Sequence, residues 1–148
     1  MTVQGSFPVT INASLDAVWP WVAQIEKHGE WSPKPYTLEL VSGEADSVGS
    51  KYRSVGYIPG DNNHANDVTI TEVVPNQRFA LDASDDNGVY HNTYDFRAVD
   101  GGTEVTFTLA FPELKGATKY LLPILFPIVG KSDIRKRMQL LKAKAESK

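Results

Sequence analysis

VYHNTYDFRAVDGGTEVTFTLAF, residues Val89 to Phe111, decides the fold of this chain. Residue character alternates with period two on both sides of Asp100-Gly101-Gly102, a composition that reverses the chain in a tight turn. Two strands joined by so few residues must be antiparallel, because a parallel crossover needs a dozen or more. On the first strand the even positions are Tyr90, Asn92, Tyr94 and Phe96 and the odd ones His91, Thr93, Asp95 and Arg97, so the even set is expected to face inward. On the second, Val105, Phe107, Leu109 and Phe111 form the inward face, opposite Thr106, Thr108 and Ala110.

The same period extends upstream to Tyr36, in runs near 36–43, 49–58, 66–74, 78–84, 88–98 and 103–111. Between them lie 43–48, Pro59-Gly60-Asp61-Asn62-Asn63, Pro75-Asn76 and Asp85-Asp86-Asn87-Gly88, all turn material. Six strands in antiparallel meander result. Ahead of them, residues 3–12 (VQGSFPVTIN) read as a first strand. Ser14 reads as the N-cap of a helix in which Leu15, Val18, Val22 and Ile25 recur at helical spacing. Pro20 is expected to kink that helix and His28-Gly29 to end it. After the meander, KSDIRKRMQLLKAKAESK places Ile134, Met138, Leu141 and Ala145 on one helical face, with Lys131, Arg135, Lys136, Lys142 and Lys144 over much of the rest. The expected fold is α+β in the order β-α-β6-α, one domain over 1–148, with helices on one face of a seven-stranded antiparallel sheet.

The 148 residues contain no cysteine, which excludes disulfides, thiolate nucleophiles and cysteine metal sites and fits a reducing cytoplasmic location. MTVQGSFPVTI has neither the basic start nor the apolar run of a secretion signal. His28, His64 and His91 show no metal-ligand spacing, and Asp61-Asn62-Asn63-His64 reads as a polar hairpin turn rather than a cation loop. No GxSxG, P-loop or GxGxxG occurs, so nucleotide binding has no support and neither cofactor nor metal is expected. The net charge of −3 is split: seven Lys or Arg stand against two acids from Lys131 onward, while the body is acidic. An acidic body argues against nucleic acid as a partner.

YLLPILFPIVG, Tyr120–Gly130, is too short to span a membrane, which needs about 20 apolar residues. Pro123 and Pro127 should bend its path. Burial of its Leu, Ile, Phe and Val side chains, at roughly 1.5–3 kcal/mol each, more than offsets that bend, so some must be covered. A helix on a sheet hides only one side. The exposed remainder, followed by a basic helix, suits either an entrance lid or peripheral contact with an anionic membrane through residues 121–144; core plus a solvated charged face is the plainer alternative.

Signatures along the whole chain resemble the SRPBCC or START-like helix-grip superfamily, closest to its bacterial polyketide cyclase/dehydrase and lipid-transport branch. They are Ser14–Trp19 (SLDAVW), Trp31, Val48-Gly49 with Tyr52-Arg53, Glu72-Val73-Val74-Pro75 leading to Phe79, Gly101–Thr106 (GGTEVT), and Leu140-Leu141-Lys142-Ala143 with Glu146. The resemblance implies a strongly bent sheet around a long C-terminal helix, with an apolar cavity between them. The expected function is binding or transfer of a small hydrophobic or amphipathic ligand, lipid-like or polyketide-like. One alternative is a cofactor-independent cyclase or dehydratase acting on such a ligand; another is an interaction domain with a filled core.

Cyclases of the superfamily hold an enolate with pocket Arg and Tyr groups, and Arg53 and Tyr57 are the counterparts if their face points inward. Lys51 shares that face and favours the opposite assignment, so no catalytic residue is assigned. The expected ligand-lining residues are Tyr57, Tyr90, Asn92, Tyr94, Phe107, Leu109, Leu121, Leu122 and Leu125: polar groups converging in an apolar wall.

Overall fold

Seven strands form one antiparallel sheet in the order β1-β7-β6-β5-β4-β3-β2, so the chain starts at one edge, crosses to the other and meanders back. The computed structural model describes residues 3–33, 36–58, 61–126 and 131–147, with the side chains of Val3, Tyr57, Ile58, Asp61, Asn62 and Leu125 outside that description. The strands are β1 (Val3–Ile11), β2 (Thr37–Ser42), β3 (Lys51–Ile58), β4 (Asp61–Val74), β5 (Arg78–Asp85), β6 (Gly88–Val99) and β7 (Gly102–Leu114). Between β1 and β2 lie α1 (Leu15–Ala23) and a 3-10 stretch, Ile25–Trp31; after β7 come α2 (Thr118–Leu125) and α3 (Lys131–Glu146).

The expected class and topology hold, with three differences. β4 begins at Asp61, so Asp61 to His64 are strand and not turn. β7 runs through Pro112, which the sheet tolerates because β7 bulges there, Phe111 and Pro112 together facing Tyr90 of β6, where a proline's missing N–H costs little. The first helix stops early: α1 runs through Pro20 and ends at Ala23, where the chain tightens into the 3-10 stretch instead of running on to His28. Ser14 caps α1 as expected, its Oγ accepting from the Ala17 N–H at 3.3 Å.

Bulges also interrupt β2 once and β4 twice, and each bends its strand. The result is a curled, open sheet whose concave side holds the helices. Gly102 makes the β1–β7 edge possible, since a Cβ there would lie 2.0 Å from the Ile11 carbonyl oxygen. At the far end of α3, Glu146 accepts from the Asn12 N–H at 2.7 Å and Lys142 donates to the Thr10 carbonyl at 2.9 Å, tying the helix to β1.

Even residues of β6 and odd residues of β7 face inward, as their alternation predicts: Tyr94, Phe96, Val105, Phe107 and Phe111 are buried. On β3 the inward set is Tyr52 and Ser54, which leaves Arg53 exposed on the outer face. Met138, Leu141 and Ala145 of α3 are buried on that core.

The apolar run is divided. Leu122 packs against the core and Phe126 is buried, one helical turn apart, while Tyr120, Leu121 and Ile124 are exposed. The bend was expected between Pro123 and Gly130: Pro123 lies inside α2, and residues 127–130 lie outside the described residues. Among the described residues no helix is long and apolar enough to cross a membrane.

Candidate functional site

The concave side is packed at one end and hollow at the other. Under β1, β6 and β7 it is filled with rings: Phe7, Phe107, Phe111 and Phe126 meet at centroid distances of 5.2–6.5 Å. Under β3, β4 and β5 it opens into a cavity of about 240 Å³.

Strand alternation explains what lines that cavity. The inward row of β4 is His64, Asn66, Val68 and Ile70; β3 supplies Ser54 beside Asn66, and β5 supplies Leu81 and Ala83. Apolar residues end the rows near the core, and polar ones end them near the opening. The roof comes from the 3-10 stretch, Tyr36 and α3.

Arg137 of α3 is the charged member of the wall. Its guanidinium lies 4.5 Å from the ring centroid of Trp31, 5.5 Å from Phe107 and 5.9 Å from Tyr94, and Nη2 donates to the Tyr36 hydroxyl at 3.3 Å. Three aromatic faces hold a weakly hydrated cation well. Its Nε–H is nevertheless buried without an acceptor. Asn66 Oδ1 is likewise buried without a donor. Burial pushes the Tyr94 hydroxyl up to about 12, with Arg137 pulling the other way, so this phenol stays protonated.

His28 lies beside Trp31 in the same roof, its ring 4.7 Å from that indole and 5.8 Å from Tyr94. Its Nε2–H donates to the Val22 carbonyl at 2.7 Å. Burial, and then the Arg137 charge, lower its pKa to about 3, so it is a neutral imidazole.

His64 has a different setting. Its Nε2–H donates to Asp85 Oδ2 at 2.8 Å, while Asp85 Oδ1 accepts from the Tyr90 hydroxyl and the Asn87 N–H, each at 2.8 Å. Burial raises the Asp85 pKa, but these hydrogen bonds outweigh it and leave the carboxyl below its ordinary value. Tyr90 is raised, by burial and then by that same carboxylate. An ionised carboxylate therefore orients a histidine in the cavity wall.

Of the residues expected to line a pocket, Asn92 and Tyr94 do so. Tyr90 stands beside it in the Asp85 network. Phe107 is buried and stacked on Tyr94 at 4.6 Å, and Leu109 and Leu122 pack against the filled half of the core. Leu121 is 52% exposed and away from the cavity, and the side chains of Tyr57 and Leu125 lie outside the described residues. Missed by sequence reasoning were Arg137, Tyr36, His64, Asn66 and Ser54. Signals existed for three of them. Arg137 lies three residues after Ile134 and four before Leu141, on the buried side of α3, and His64 and Asn66 continue the inward row of Val68 and Ile70.

A family model described as polyketide cyclase / dehydrase and lipid transport matches residues 2–146. The chain belongs to this family. No curated protein matches its sequence. Among solved structures, the family's fold recurs in the di-domain ARO/CYC StfQ of the steffimycin biosynthetic pathway, with a TM-score of 0.77 and 13% identity over 99% of this chain and 51% of that one. It recurs in norcoclaurine synthase from Thalictrum flavum, with a TM-score of 0.72 and 14% identity over 100% of this chain and 88% of that one. Another structure of that synthase holds dopamine and hydroxybenzaldehyde. Protein CV1439 from Chromobacterium violaceum gives a TM-score of 0.71 at 15% identity, covering 99% of each chain. At such identities the likeness shows the fold. Family and fold agree with ligand binding or with cyclase-type chemistry.

Proposed function

We propose that the domain binds, and releases for transfer, a small amphipathic molecule in the cavity between the sheet and α3. The observation that carries this is the pair of unmet buried polar atoms, Arg137 Nε and Asn66 Oδ1, on the walls of one cavity. Leaving such groups unpaired costs about 1–3 kcal/mol each, a cost that an occupant with matching groups removes. The cavity equals the space of roughly eight liquid waters at ~30 Å³ each, which suits a single ring with a few substituents.

Hydroxybenzaldehyde, which norcoclaurine synthase holds on the same fold, has that size and is a practical probe. Thermal unfolding should shift upward as the probe is added to the wild type. Ala83→Phe and Ser54→Leu, which fill the cavity from its wall, should remove the shift while preserving the circular dichroism spectrum. An equal shift in wild type and in whichever filled variant folds, or none in the wild type, contradicts the reading.

A second reading, catalysis of the cyclase type, draws on the His64–Asp85 pair. His64, oriented by that carboxylate in the cavity wall, is the candidate general base. It would take a proton from a carbon next to a ligand carbonyl, the C–H electron pair passing to the carbonyl oxygen as an enolate held by Arg137. The enolate carbon then attacks a second carbonyl carbon, whose oxygen recovers the proton from His64. His64→Gln should leave ligand affinity within about twofold and reduce turnover by 10²-fold or more, the usual contribution of a general base. Unchanged turnover in His64→Gln would exclude this role.

A further inference from the structure

Among the described residues, no carboxylate is found against Arg137. Among the described residues no Asp or Glu borders the cavity, and the partners found for the guanidinium are three ring faces and the phenols of Tyr36 and Tyr94, all neutral. The nearby carboxylate of Asp85 has both oxygens engaged, by His64 on one side and by Tyr90 and Asn87 on the other. His28 in the roof is neutral and spends its Nε2–H on the Val22 carbonyl. Trp31 Nε1 likewise donates to the Trp21 carbonyl at 3.0 Å.

Water could meet the unpaired Nε–H, but it leaves a partly desolvated cation uncompensated. An anion does both, because a charge-assisted hydrogen bond is about twice as strong as a neutral one. Asn66 Oδ1 makes the opposite demand, since it accepts only and needs a donor. The remaining lining offers flat apolar surface from Ile25, Leu38, Val68 and Leu81.

We infer that the cavity selects a small planar organic acid, with its carboxylate on Arg137 and a hydroxyl or N–H at its other end on Asn66. The inference rests on the binding reading above and specifies its ligand.

Calorimetric titration near neutral pH with 4-hydroxybenzoate, 4-hydroxybenzamide and benzoate tests it, since the first two share a shape and differ in charge. Wild type should prefer 4-hydroxybenzoate over the amide by about tenfold or more. Arg137→Gln should abolish that preference and Arg137→Lys keep part of it. Asn66→Leu should abolish the advantage of 4-hydroxybenzoate over benzoate, which lacks the donor. Equal affinity of acid and amide in the wild type overturns the inference, as does a preference that survives Arg137→Gln. So does absence of acid binding at about 1 mM in a protein that takes up neutral hydroxybenzaldehyde. If hydroxybenzaldehyde is refused too, the binding reading itself has failed.

Discussion

Trp31→Ala is expected to destabilise the fold by roughly 3–5 kcal/mol, the range for removing a large buried aromatic side chain. The indole is fully buried at the end of the 3-10 stretch. It touches each layer of the site: His28 at 4.7 Å and Tyr94 at 6.0 Å between ring centroids, with the Arg137 guanidinium above it at 4.5 Å. Its Nε1–H donates to the Trp21 carbonyl, which fastens the 3-10 stretch back onto α1. Truncation would therefore leave a void, an unpaired carbonyl and a cation without its best ring. Urea unfolding should show a lower midpoint at an unchanged slope. A loss below about 1 kcal/mol would mean that the ring is not the keystone of this wall.

The second large effect is acid sensitivity through His28. Its folded pKa of about 3 lies below the unfolded value of 6.5, so between those limits the unfolded chain binds more protons. Stability must therefore fall as pH drops through that window, by up to about 1.4 kcal/mol per pH unit for this group alone. Below pH 4, Asp85 and Glu146 add to the loss, because their folded pKa values are depressed and their contributions vanish on protonation. Comparing wild type with His28→Gln isolates the histidine, since the amide can still donate to the Val22 carbonyl but cannot titrate. Unfolding midpoints measured between pH 7 and 4.5 should slope downward in the wild type and much less in the variant. Parallel curves would refute a buried neutral imidazole.

Much of the fold was legible because each of its levels agrees with the others. Alternation in Val89–Phe111, the turn at Asp100-Gly101-Gly102 and the α3 face of Ile134, Met138, Leu141 and Ala145 all specify one arrangement, and the structure adopts it. The site was less legible. Asn92 and Tyr94 followed from the period of their strand, but period cannot tell a ring that fills from one that lines, and Phe107 and Leu109 fill. His64 was hidden by Pro59 to Asn63, whose turn composition masks the start of β4; pairing of Gly56 with His64 overrides it. Arg137 was hidden by its neighbours, since in RKRM a buried arginine has the same local composition as the solvated Arg135 and Lys136. Its spacing from Ile134 and Leu141 puts it on the inward face, and the convergence of Trp31, Tyr94 and Phe107 from three other elements shows what it meets there.

Native mass spectrometry tests the proposal that this cavity is a binding site most directly. The wild-type protein and Ala83→Phe, with Ser54→Leu as a second filled variant, would be equilibrated with a small-molecule extract of the cells that make the protein. A small organic molecule retained by the wild type and absent from the filled variants is the predicted result. Equal retention by all three, or no retained molecule in any, would contradict it.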